Sequence, residues 1–116
     1  MDRNELGRMG ESLAARYLQS HGWSVVERNV RYREGELDLV AERAGVLAFV
    51  EVKTRRSRAF GTPAEAVTRL KAARIRRLAS RYLTEHRPRA RDIRFDVVDV
   101  LRVGENYRVT HLEDAF

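Results

Sequence analysis

No cysteine occurs anywhere in the chain, which excludes a disulfide scaffold and a thiolate metal site together. The three histidines, His21, His86 and His111, stand at no ligand spacing, so a metal bound here would have to be held by carboxylates. Long apolar runs are missing as well. The longest, VLAFV, falls far short of a membrane span, and the opening MDRNELGRMGES has no apolar signal core. A soluble, cytoplasmic protein with no membrane partner is the expectation. No repeat, low-complexity tract or linker interrupts the 116 residues, which suffice for one domain (1–116) with a real core and are too few for two.

Lysine is scarce in a chain rich in positive charge. Of 23 basic residues 21 are Arg, and only Lys53 and Lys71 are Lys. Arginine thus serves almost everywhere that charge alone is wanted, whereas a compact ammonium whose pKa can be moved suits chemistry at a phosphate or a water. The net charge of +6 hides an asymmetry: residues 53–94 hold 14 Lys and Arg against 3 acids, or +11, and the rest hold 9 against 14, or −5. The basic segment would attract a polyanion, although a basic surface also serves solubility alone.

What the chain does contain reads as helix, three strands, helix, two strands. Asn4 to His21 carries Leu6, Met9, Leu13 and Tyr17 on one stripe, and Gly22 stops it. Strands follow at Trp23 to Val30, Glu36 to Arg43 and Val46 to Arg55. Thr62-Pro63-Ala64-Glu65 forms a capping box, predicting a second helix from there to about His86, before Pro88. Ile93 to Arg102 and Tyr107 to Leu112 complete the strands. This order implies an α/β fold, a mixed sheet of about five strands flanked by helices.

The hairpin GELDLVAERAGVLAFVEVKTR poses a problem. A two-residue turn at Ala44-Gly45 pairs Val40 with Phe49, Asp38 with Glu51 and Glu36 with Lys53, because side chains alternate along a strand. The opposite face, Leu37, Leu39 and Ala41 with Ala48, Val50 and Val52, is wholly apolar. Two carboxylates set across from each other repel unless a cation or a proton intervenes. A hard divalent cation, Mg²⁺ or Mn²⁺, solves this with oxygen ligands. Lys53, on the same side as Glu51, could then orient or deprotonate a water, or stabilise charge on a phosphate. The hairpin alone favours the plainer alternative, a solvated face on which Glu36 pairs with Lys53 while Asp38 and Glu51 splay apart.

Further residues bear on the choice. Glu11 lies at the edge of the first helix's stripe, where it either borders the cleft or faces solvent. Gly7 and Gly10 on that helix would let another backbone approach closely. In the second helix Lys71 and Arg74 fall near the centre of the stripe Val67, Leu70, Ile75, Leu78, Tyr82. They either snorkel past the core or point toward a phosphate at the sheet. Arg55, Arg56 and Arg58 are placed to hold a nucleic-acid backbone.

Glu11, then Gly35-Glu36-Leu37-Asp38, then Phe49-Val50-Glu51-Val52-Lys53 resembles the order in PD-(D/E)xK nucleases, including archaeal Holliday junction resolvases. NVRYREGELDLV, FVEVKTR, FGTPAEAV, RFDVVDV and HLEDAF more closely resemble the small bacterial YraN family, also called UPF0102, over nearly the whole chain. The resemblance implies a restriction-endonuclease-like core, Asp38 and Glu51 as metal ligands, and Lys53 and Glu11 as catalytic residues. It leaves Glu36 as an accessory residue where the superfamily pattern has a proline before the Asp. It implies a Mg²⁺- or Mn²⁺-dependent endonuclease acting on DNA, branched or damaged forms included, and resolvases of this type act as homodimers. The alternatives are a nucleic-acid-binding module that keeps the scaffold without turnover, and an adaptor whose basic helix binds an acidic protein.

Overall fold

The computed structural model describes residues 1–57 and 67–116. Among them α1 (Arg3–Ser20), β1 (Ser24–Tyr32), β2 (Gly35–Arg43), β3 (Val46–Arg55), α2 (Arg69–His86), β4 (Asp92–Val103) and β5 (Asn106–Leu112) follow in the expected order. Asp2 caps α1 by accepting the Glu5 N–H at 2.8 Å. Gly22, at φ +87°, turns the chain out of the helix. Ala44 and Gly45 both lie in the left-handed region, as a two-residue turn that matches the strand twist requires.

The five strands form one mixed sheet in sequential order. β1, β2 and β3 are antiparallel, β3 and β4 are parallel, and β5 returns antiparallel to β4. A parallel pair needs a crossover, and α2 lies within that connection. Each helix buries its apolar stripe on one sheet face. Ala14, Leu18 and Trp23 pack with Leu39, Ala41, Val50 and Val98 beneath α1. Val40, Leu47 and Phe49 pack with Ile75, Leu78 and Tyr82 beneath α2. The central strands, covered on both faces, are therefore near-continuous apolar runs.

Three expectations need correction. The helix predicted to run unbroken from Pro63 does not: Thr68 is extended (ψ +167°) and its side chain accepts the Lys71 N–H at 3.2 Å, so α2 starts at Arg69. The capping box at 62–65 lies outside the described residues. Leu70 is 85% exposed instead of buried, because the buried line through Ile75, Leu78 and Tyr82 continues backwards through Lys71 at about 100° per residue. Leu37 belongs to the α2-side core, not to the face of Leu39. The change of face falls at Asp38, opposite Asn29, which lies at φ +52° and is unpaired between Arg28 with Leu39 and Val30 with Leu37, while the register shift of this ladder lies between Val25 and Glu27.

Candidate metal centre

The β2–β3 ladder runs from Arg43 with Val46 to Leu39 with Val50 and stops there. β2 continues beside β1 as far as Gly35, and β3 continues beside β4 as far as Arg55, so the two strands part and a cleft opens between them. The expected pairing of Glu36 with Lys53 is lost in this divergence. Glu36 instead takes Arg31 at 3.0 Å, its neighbour across β1. Asp38 stands where the strands separate, and its Oδ2 accepts the Val52 N–H at 2.9 Å.

Glu11 is brought to this point by a glycine. A Cβ on Gly10 would collide with the Thr54 side chain, so glycine allows α1 to lie directly on β3. Gly7, by contrast, faces open space, in a cavity of about 280 Å³ lined by Arg3, Arg8, Glu11, Arg31 and Glu36. One oxygen each from Glu11, Glu36 and Asp38 lie within 4.8 Å of one another. The Asn29 side-chain amide, with its nitrogen turned toward the acids, donates to Glu11 Oε1 and Glu36 Oε1 at 2.9 Å each. Asn29 went unnoticed in the sequence; its one signal was an amide inside a strand-like run, from a residue type that tolerates positive φ.

The electrostatics follow from this crowding. Burial, and then the charge of Glu51 with which it shares a hydrogen bond, push the Asp38 carboxyl up to about 8, against the opposing pull of the Val52 N–H. Burial and the charge of Glu36 raise Glu11 as well. Glu51 is only 8% exposed, and its Oε1 lies 2.6 Å from Lys71 Nζ. Lys53, half-buried, sits two residues along β3 on the same side as Glu51 and in register with Asp99 of β4.

The other basic residues divide. Arg55 is buried and ion-paired with Asp99 (Nη2 to Oδ1 2.9 Å), away from the surface where a nucleic-acid backbone would pass. Arg56 is exposed and donates to the Met1 carbonyl at 2.7 Å. Arg58 lies outside the described residues. Arg74 is exposed at the start of β2, its Nε 3.5 Å from where a Cβ on Gly35 would stand.

The donor set of Glu11, Glu36, Asp38 and Glu51 is oxygen throughout, which fits a hard divalent ion. Burial, then the charge of Glu51, raises the Asp38 carboxyl, and a cation beside it would ease that cost.

The model of the uncharacterised protein family UPF0102 matches residues 10–100. A UPF0102 protein of Beutenbergia cavernae is 57% identical over 111 residues, covering 95% of this chain and 94% of its own. One from Nocardia farcinica is 53% identical over 116 residues, covering 99% and 91%. One from Myxococcus xanthus is 44% identical over 115 residues, with the same coverage of 99% and 91%.

Proposed function

We propose that this chain, which belongs to the uncharacterised protein family UPF0102, is a Mg²⁺- or Mn²⁺-dependent endonuclease that hydrolyses phosphodiesters in DNA, branched or damaged forms included. The observation that carries this reading is the convergence of Glu11, Glu36 and Asp38 beside Glu51 at the point where the sheet splits. Asp38 and Glu51 would hold the ion, with Glu11 and Glu36 adjoining. A bound Mg²⁺ or Mn²⁺ would supply Lewis-acid neutralisation of charge on the phosphate.

The protein's own groups do the rest. Val52 packs against the α1-side core and Glu51 beside it is almost wholly buried, so charge at this point acts in a medium of lowered dielectric. The Lys53 ammonium, beside Glu51, orients the attacking water and stabilises charge developing on the phosphate. Arg74, at the rim, holds the backbone of the strand in place, and the basic segment attracts the polyanion.

The test is a calorimetric titration of Mg²⁺ and Mn²⁺ into wild type and Asp38→Asn, with cleavage of linear and four-way-junction DNA followed in the same samples. Ion binding and cleavage that both vanish in the variant are the expected result. A wild type that binds no divalent ion and cuts neither DNA sinks the proposal.

One observation favours a second reading. Lys71 supplies counter-charge to Glu51 from the protein itself, as a DNA-binding module without turnover would need. That reading predicts salt-dependent DNA binding that survives Asp38→Asn or tightens in it, since a negative charge facing phosphate has been removed.

A further inference from the structure

Glu51 adjoins the three carboxylates that converge, and it is already paired with Lys71. The acid is almost wholly buried on β3, and the ammonium 2.6 Å from its Oε1 comes from the first turn of α2, on the other side of the cleft. The lysine backbone is held in place, because its N–H donates to the Thr68 hydroxyl that caps the helix. Its side chain is about one-third exposed, so its flexible stem has solvent to swing into. Lys71 holds Oε1, so a divalent ion on Glu51 would take Oε2 and stand within a few ångströms of the ammonium. Two cations that close on one buried carboxylate repel strongly, and the flexible lysine is the one that can leave.

We infer that Lys71 is a built-in counter-cation of the carboxylate centre, one that a divalent ion displaces from Glu51 and that then turns to the incoming phosphate. This rests on the metal-centre reading above and adds its regulation. In the free protein the pair satisfies a buried carboxylate that would otherwise be costly to leave alone. On ion binding, Glu51, already hydrogen-bonded to Asp38, turns to the ion, and the released ammonium stands over the same cleft without a partner. A phosphate entering there takes it up. Ion and phosphate therefore favour each other's binding through one side chain, and by linkage the coupling acts equally in both directions. The centre therefore binds ions more weakly by itself than with an anionic substrate at hand.

The chain has only two lysines, which makes the test clean. Purified wild type is treated with an amine-acylating reagent with and without Mn²⁺, and labelling at Lys71 is read by mass spectrometry against Lys53. Mn²⁺ is also titrated calorimetrically into wild type, Lys71→Met and, as a control for general charge, Arg74→Met. The expected result is several-fold faster labelling of Lys71 in Mn²⁺. Lys71→Met should bind Mn²⁺ about ten-fold tighter than wild type, with Arg74→Met close to wild type. The labelling arm uses wild type alone, so it stands even if Lys71→Met does not fold. Mn²⁺ binding with Lys71 labelling unchanged overturns the displacement and leaves the metal centre standing. No Mn²⁺ binding to wild type or to either variant overturns the metal centre and the displacement with it.

Discussion

In the metal-free protein Asp38 sits among Glu11, Glu36 and Glu51 and holds its proton to about pH 8, chiefly through burial. An unfolded Asp ionises near pH 4, so between these limits the folded state carries the extra proton and stability falls as pH rises. Asp38→Asn removes that penalty. Urea unfolding without metal should show the variant gaining on wild type steadily from pH 5 to pH 8, and a constant difference would refute the assigned environment. Arg55 tests a different point. Its pair with Asp99 is buried, so Arg55→Met should cost about 3 to 5 kcal/mol of stability, measured by urea unfolding. A variant as stable as wild type would mean that Arg55 faces solvent, as the sequence had suggested.

At the scale of elements, the centre depends on how closely α1 approaches β3. Gly10→Ala places a methyl group into Thr54 and should cost about 1 to 3 kcal/mol, while shifting Glu11 out of reach of Glu36 and Asp38. Thr54→Ala in the same chain should restore most of the stability. Failure of that rescue in thermal melts would place the close contact elsewhere. The kink at Asn29 matters in the same way: glycine there keeps the positive φ but loses the amide that ties Glu11 to Glu36, whereas alanine loses both.

Across the whole molecule two acids set opposite pH limits. Asp96 is fully buried, and although burial opposes its ionisation, His111, Arg94 and the Asp114 N–H outweigh that and hold its carboxyl below the usual range. The stability it contributes is present above an ordinary carboxylate pKa and is lost as pH falls through its depressed one. Asp38 erodes stability on the other side, as pH rises toward 8. The metal-free protein should therefore be most stable in mildly acidic solution, and saturating Mn²⁺ should move that maximum upward. Unfolding curves from pH 4 to 8 with and without the ion would decide it, and an unmoved optimum would count against ion binding at Asp38. The charge asymmetry belongs to this scale too. Binding to DNA should weaken steeply with salt, and Arg74→Ala should reduce the slope of log K against log salt by about 1.

Element order, the mixed sheet and the turn at Ala44-Gly45 were legible in the sequence, because hydrophobic period, helix stops and turn residues are local signals that neighbours reinforce. Alternation alone also sets Glu51 and Lys53 on one side of β3, whereas Asp38 stands where the alternation of β2 is broken. What alternation could not show is where a ladder ends. Only the tertiary structure decided that β2 follows β1 while β3 follows β4, which trades the pairing of Glu36 with Lys53 for the cluster with Glu11. It also placed Lys71 on Glu51 and buried Arg55 against Asp99, contacts between residues 20 and 44 positions apart. Charge in a sequence has a sign and a position. Its partner is chosen only when packing brings distant strands and helices together.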